Sequence, residues 1–436
     1  MSLSRRHFLK SSATIVAGAS IAPYHRIMGA NDRLNVGLIG CRNMGWGNLN
    51  GFLGQPNVAC LGLADIDQGI LGRRKEEVSK KQQTKFETYG DYRRLLDNKD
   101  IDVVIIGTPD HWHCLQFVDA CSAGKDIYVE KPIANSVAEC DAMIGAANRH
   151  QRIVQVGQQQ RSGNHWKEMV RVINSGELGK IGQVKIWANF NYAALGARLP
   201  DATVPEGVDF NFWLGPAPQR TFNPQRFHGA WRMFWDYGGG LMTDWGVHLL
   251  DMGLWAMNIT GMPQKITGVG GKFYQPEGAH ETFDTQQVTY SFPDFIMTWE
   301  HNAGVETGPY GRTYGVLFKG TNGTLVADRS SWQIYPEVNP TSKEPKTPEK
   351  EMNSDRREHG DHIRNFIDCV RRRDSNTACP IQVGGLVAKY AHFGNIAARL
   401  GGAALTYDDQ KKSFGQKEAD RYLRPAYRQP WVFPKI

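Results

Sequence analysis

The chain has 436 residues, 41% of them apolar and 22% charged, and a formal net charge of +7; that length exceeds one hydrophobic core and predicts a two-domain globular enzyme. Four of those charges, Arg5, Arg6, Lys10 and Arg26, lie in residues 1–30, which hold no acid, and the remaining +3 argues against a nucleic-acid partner. No run is apolar and long enough for a stable membrane span, and seven cysteines without a Cys-x-x-Cys pair read as buried thiols, not as a disulfide frame or a zinc site.

Ser4-Arg5-Arg6-His7-Phe8-Leu9-Lys10, followed by a weakly apolar run over 13–22, resembles a twin-arginine export signal. Residues 1–30 are therefore set aside from the fold. The expected location is the periplasm, or export by the same route, which carries proteins already folded.

Residues 31–157 alternate short apolar runs (34–40, 58–64, 103–107, 127–129, 153–157) with helical periods over 70–82, 112–123 and 137–149. Buried parallel strands read this way, and right-handed βαβ units then give a doubly wound sheet, a Rossmann domain. Its first turn is Gly40-Cys41-Arg42-Asn43-Met44-Gly45. Gly40 would make the tight turn and Gly45 would let helix and strand approach, leaving the amides at the helix start to meet a pyrophosphate. Arg42 replaces the middle glycine of the usual fingerprint. Asp65, twenty residues after Gly45, is placed to bind the adenosine ribose and to disfavour a 2′-phosphate, which favours NAD, with NADP not excluded.

Ligands of such sheets lie beyond the carboxyl ends of the strands. Thr108, Pro109, His113, Glu130 and Lys131 are accordingly assigned to the cofactor crevice. Asp110 is expected to cap the following helix, with His111 and His113 in its first turn. No metal is expected, for want of a third ligand at suitable spacing.

Residues 158–436 read as a substrate-binding α+β domain. Gln158 and Arg161 fall in a loop before a helix over 164–175, and strands follow over 184–192, 266–274, 286–292, 295–300, 314–319 and 324–327. These predict a large open, mainly antiparallel sheet. The stretch 195–233 is rich in Pro, Gly and Trp; aromatic faces can stack on a sugar ring, and Trp231 is the first candidate to do so. In Asp236–Asp251, three glycines precede Asp244 and His248, whose four-residue spacing predicts one shared helical face. The competing reading is an amphipathic helix whose Leu241, Val247, Leu249, Leu250 and Leu254 pack inward while Asp244, His248 and Asp251 face water. Residues 338–355 look like a solvated excursion, and 359–373 and 384–400 return as helices that pack between the domains.

The dinucleotide turn, Thr108-Pro109-Asp110-His111-x-His113, Gly124-Lys125 with Glu130-Lys131-Pro132, and Gly238-Gly239-Gly240 with Asp244 and His248 together resemble the glucose-fructose oxidoreductase and inositol dehydrogenase family, Gfo/Idh/MocA. The resemblance implies that Lys131, Asp244 and His248 are catalytic, and that the chain forms a homo-oligomer, a dimer or tetramer, through the second sheet. The expected activity is NAD(P)-dependent oxidation of a sugar, polyol or glycoside hydroxyl, with His248 as base and Lys131 on the oxyanion. The alternative is a redox-neutral glycoside hydrolase or lyase in which tightly bound NAD serves a transient oxidation. A non-catalytic carbohydrate-binding protein is disfavoured by the intact Lys131, Asp244 and His248.

Overall fold

The computed structural model describes residues 33–436. Arg5 and Arg6, and with them the export reading, lie outside the described residues. The first sheet is all parallel, in the order β3-β2-β1-β4-β5-β6. Its strands are β1 (Leu34–Ile39), β2 (Val58–Ala64), β3 (Glu87–Tyr89), β4 (Val103–Ile106), β5 (Asp126–Val129) and β6 (Val154–Val156). Helices α1 (Asn43–Leu53), α2 (Gln68–Lys81), α3 (Tyr92–Asp97), α4 (Asp110–Ser122) and α5 (Val137–His150) connect them. The strands β4 and β5 are buried along their whole length, as a sheet covered on both faces requires.

Local chemistry fixes the helix starts. The Asp67 side chain accepts the Ile70 amide at the head of α2, and Lys80 and Lys81 close its last turn, where cations suit the helix dipole. Helix α5 begins with a capping box: Ser136 Oγ accepts from Glu139 N, and Glu139 Oε2 accepts from Asn135 N and Ser136 Oγ. Helix α4 departs from expectation. Its cap is Pro109, and Asp110 is its first residue, buried and making no capping bond.

After α6 (Asn164–Asn174), β7 (Ile181–Ala188) and the short α7 (Phe210–Leu214), the chain makes a π-helical turn, Met242–Gly246, that runs directly into α8 (Val247–Ala256). The second sheet adds β8 (Lys265–Gly271), β9 (Thr285–Ser291), β10 (Ile296–Asn302), β11 (Tyr314–Gly320), β12 (Gly323–Ala327), β13 (Ser331–Pro336) and β14 (Glu351–Asn353). Its order is β14-β13-β12-β11-β7-β10-β9-β8. Only β7 and β10 pair in parallel; every other neighbouring pair is antiparallel. The stretch 338–355 is thus not wholly an excursion, since Glu351–Asn353 adds an edge strand to β13.

Helix α9 (Glu358–Arg372) packs on α1, α10 (Ile381–Arg399) packs on α5, α8 and β8, and α11 (Lys417–Asp420) follows. Helix α10 is buried around nearly its whole circumference. Its Asn395 Nδ2 donates to Gly239 O at 2.9 Å, and its His392 Nε2 lies 3.0 Å from Ala134 O, so one helix touches both sheets' layers. The glycine run before the π turn allows this closeness, since a Cβ on Gly239 would fall 2.7 Å from Asn395 Nδ2. Gly240 sits at φ 68°, and a Cβ there would come within 2.7 Å of Thr282 Oγ1, so only glycine fits without strain. Among the described residues no helix is long and apolar enough to cross a membrane, and all seven cysteines are buried and unpaired.

Candidate active site

One crevice runs along the carboxyl ends of β1, β2, β4 and β5. Gly40, Arg42, Asn43, Met44, Asp65, Thr108, Pro109, Glu130 and Lys131 all line it. Gly45 lies behind the wall, where it lets the turn and β4 meet: a Cβ on Gly45 would fall 2.1 Å from Gly40 O, and one on Gly107 would fall 2.5 Å from the Gly45 Cα. Helix α1 starts at this point with no side-chain cap and no acid in its first turn, which leaves its amides open to an anion.

Asp65 holds the loop as well as lining the crevice. Its Oδ2 accepts from Cys41 N at 2.7 Å and its Oδ1 from Asp67 N at 3.1 Å. Burial raises its pKa against the pull of those two amides. His113 does not reach the crevice. Its ring is fully buried, with Nδ1 2.8 Å from Pro132 O and Nε2 2.8 Å from Thr108 O, so it braces the loops after β4 and β5 against each other. Glu130 accepts from Asn48 Nδ2 at 2.8 Å, and Thr108 Oγ1 bonds Gln116 at 2.6 Å.

The insertion 195–233 folds over the Asp65 end. Gln68 N donates to Gly207 O at 2.9 Å and Asp209 N to Ile66 O at 3.0 Å, while His228 Nε2 pairs with Asp67 Oδ2 at 2.8 Å. Trp213, His228, Trp231 and Arg232 thereby become crevice walls. Trp231 is buried in that wall, with the Arg232 guanidinium 4.2 Å from its ring centroid.

At the other end of the crevice Lys131 crosses to the second half of the chain. Its Nζ donates to Asp244 Oδ1 at 2.7 Å and to Asp244 O at 3.0 Å. Arg232 Nε lies 3.1 Å from the same Oδ1, and Tyr192 donates its hydroxyl to Oδ2 at 2.9 Å. Burial alone would raise the Asp244 carboxyl, but Lys131 and Arg232 overturn this and hold it far below the usual range. Burial, and then the Asp244 charge, raise the Tyr192 hydroxyl.

His248 is not oriented by Asp244. No hydrogen bond joins them, the carboxylate oxygens being taken by Lys131, Arg232 and Tyr192, and His248 Nδ1 is buried with no partner. The π turn explains the miss: it carries more than 3.6 residues per turn, so four residues no longer bring two side chains into register. Burial, with the fields of Arg329 and Lys131, pushes the imidazole well below its ordinary pKa, against Asp244. It is therefore neutral, the form that accepts a proton.

Of the two assigned substrate contacts, Arg161 is occupied elsewhere and Gln158 only at its amide nitrogen. Arg161 Nε and Nη2 grip the fully buried Asp251 at 2.6–3.0 Å, and the guanidinium stacks 4.9 Å from the Trp255 ring centroid. Gln158 Nε2 donates to Val247 O at 3.2 Å, next to His248, and its Oε1 is buried without a partner. The purely amphipathic reading of Asp236–Asp251 fails, since His248 and Asp251 do not face water.

Sequence reasoning missed Tyr192, Arg232 and Arg329. The last places its guanidinium 4.4 Å from the Trp245 ring centroid, and the Trp245 and His248 rings are 6.1 Å apart. It also missed Asp110 as a buried acid whose carboxyl is raised well above its ordinary pKa by burial, despite Arg232 and Lys131. Only its position next to Trp231, already singled out, could have flagged Arg232.

Residues 34–158 match the family description "Oxidoreductase family, NAD-binding Rossmann fold", and residues 162–433 match "Oxidoreductase family, C-terminal alpha/beta domain". The chain belongs to the Gfo/Idh/MocA oxidoreductase family and carries its NAD-binding Rossmann domain. Curated relatives include Glycosyl hydrolase family 109 protein 1 of Shewanella sp. (strain ANA-3) and the Alpha-N-acetylgalactosaminidase of Shewanella oneidensis. Each is 29% identical over 204 residues, 41% of this chain and 44% of the relative, so the match spans less than half of their length. Among solved structures, levoglucosan dehydrogenase in complex with NADH and levoglucosan aligns at TM-score 0.63 and 18% identity, over 86% of this chain and 99% of that one. The aldose-aldose oxidoreductase from Caulobacter crescentus complexed with glycerol aligns at 0.63 and 18%, over 86% and 100%. At such identities these two similarities show the shared fold.

The crevice fits a dinucleotide on its own geometry. The contact of Gly40, Gly45 and Gly107 brings bare backbone to the helix start, and the Asp65 carboxylate waits at the end of β2.

Proposed function

We propose that the protein is an NAD-dependent oxidoreductase acting on a hydroxyl of a sugar, polyol or glycoside. The observation that carries this reading is the Lys131–Asp244 contact at the mouth of the dinucleotide crevice, with neutral His248 on the helix that follows. NAD, when bound, supplies the hydride acceptor. His248 takes the hydroxyl proton, and Lys131, held by two acceptors of one residue, stabilises negative charge developing on the oxygen. Asp244 fixes the ammonium in place. Preference for NAD over NADP rests on Asp65, and on Arg74 being engaged by Cys41 O, Glu77 and the Trp46 ring.

The glycosidase relatives favour a second reading, in which the same oxidation is transient and ends in loss of a glycosidic substituent. Product analysis with NADH absorbance separates the two. A carbonyl product formed in step with NADH supports net oxidation; a cleaved glycoside with no net NADH supports the redox-neutral course; neither product from any sugar or glycoside rejects both. We propose also that the chain is exported folded through the twin-arginine route, on the sequence of residues 4–22 alone.

A further inference from the structure

Arg329 stands in the turn between β12 and β13, and that turn is rigid. Asp328 Oδ1 accepts from Ser330 N at 2.7 Å and Ser331 N at 3.1 Å, and its Oδ2 pairs with Arg312 at 2.7 Å. The acid beside Arg329 in sequence is thus spent on other groups. Among the described residues no carboxylate lies within 4.0 Å of the Arg329 guanidinium, and the guanidinium makes no hydrogen bond there. Glu358, at the head of α9, is close enough for its charge to act on Arg329 but forms no ion pair with it. The guanidinium rests instead on Trp245, whose ring also touches those of Phe190 and Tyr314 at 4.5 and 4.6 Å between centroids.

That aromatic wall flanks His248. The guanidinium lies 4.4 Å from the Trp245 ring centroid and the imidazole 6.1 Å from it, and the Arg329 charge reaches His248, a span that a pyranose ring and its exocyclic carbon can bridge. Lys131 and Arg232 are met at the site by Asp244, with Asp110 and Glu130 close enough for their charges to act on Arg232, whereas among the described residues Arg329 has no acid at ion-pair distance. A partly desolvated, unpaired cation beside a polar site calls for an anion. A guanidinium on an aromatic plate offers a planar fork that matches a carboxylate with two parallel hydrogen bonds.

We propose that Arg329 binds a carboxylate of the substrate, so that the sugar oxidised beside His248 is a sugar acid of the hexuronate class or its glycoside. This rests on the reading of Lys131, Asp244 and His248 as the reacting site. The carboxylate stays unreacted and places the ring against Trp245 with a hydroxyl toward His248.

The test uses the full-length protein purified with its nucleotide and matched ligands that differ only in the exocyclic group: methyl glucuronide with methyl glucoside, and the galacto pair. Binding is measured by calorimetry, and turnover by product analysis. A charge-assisted pair predicts that the acid of each pair binds about 10- to 100-fold tighter, and that Arg329→Gln brings this ratio close to one while Arg329→Lys keeps part of it. The proposal is overturned by equal binding of acid and neutral partner in both series, by tighter binding of the matching 6-phosphate than of the uronide, or by an Arg329→Gln variant that keeps the ratio. The wild-type ratio stands as a test even if the variants do not fold. Uronide-selective binding without any turnover would sink the oxidoreductase reading and leave the carboxylate site; turnover of neutral sugars without selectivity would do the reverse.

Discussion

Lys131 meets Asp244 twice, through the carboxylate at 2.7 Å and through the main-chain carbonyl at 3.0 Å. The double contact ties the loop after β5 to the π turn before α8, so the ammonium is placed by backbone as well as by charge. Lys131→Ala and His248→Ala should each lower kcat by at least ~10²-fold while thermal unfolding stays cooperative, as a positioned proton or oxyanion group is worth that much. Steady-state rates within a few-fold of wild type in either variant would remove the assignment.

The depressed His248 pKa also sets a pH profile. A base must be unprotonated, and the folded environment keeps His248 unprotonated below its ordinary value. The acid limb of kcat/KM should therefore lie below the ~6.5 of a free imidazole. A limb at or above that value would assign the proton transfer to another group.

Asp65→Ala is expected to weaken NAD binding and to narrow the gap to NADP, because the carboxylate both faces the crevice and holds the Cys41 and Asp67 amides. Titration with each nucleotide decides it: unchanged affinities would move the adenosine site away from β2.

Arg161→Ala should act on stability before activity. Removing the guanidinium leaves Asp251 buried without its partner, a loss of about 3–5 kcal/mol for broken buried pairs. Denaturant unfolding of Arg161→Ala beside the double variant Arg161→Met, Asp251→Leu checks this, since the apolar pair should recover much of the loss. A variant with wild-type stability and raised KM would return Arg161 to the substrate.

Acid should unfold the protein early. His111, His301, His362 and His392 are buried and pushed down to about 4, in each case first by burial. Between that value and the ~6.5 of the unfolded chain, the unfolded state binds more protons, so stability present above the window is lost as pH falls through it. At pH 5 each ring costs roughly 2 kcal/mol. Glu139, raised to about 7 by burial, works the other way as a single group. The Tm should drop steeply from pH 7 to 5, and a flat Tm over that range would contradict the buried neutral rings.

Much of this was legible in sequence where burial leaves a period. The stretches 103–106 and 127–129 are apolar runs, and Glu130-Lys131 follows the second directly, so both the sheet and the lysine could be read together. The π turn was not legible, because one added residue per turn changes neither composition nor the apolar stripe of Val247, Leu249 and Leu250; the reading therefore paired Asp244 with His248 instead of Lys131. Arg232 and Arg329 depend on an insertion folding back and on a hairpin turn, contacts with no local signature. The polar edge strand Glu351–Asn353 was hidden for the same reason.

Helix α10 carries one further consequence. Gly384 lies against Val156 of the first sheet, while Tyr390 receives the Tyr290 hydroxyl from the second and Lys389 pairs with Asp141. A clam-like opening of the two layers would have to strip this helix from one of them and expose most of its length to water. The molecule is thus a fixed frame, and the insertion 195–233 is part of it: Phe210, Trp213, Leu214 and Trp231 bury in one cluster with Tyr237 and Leu241, and Trp213 O accepts from Trp112 Nε1 at 2.8 Å. The amides of α10 should therefore exchange only when the whole protein unfolds.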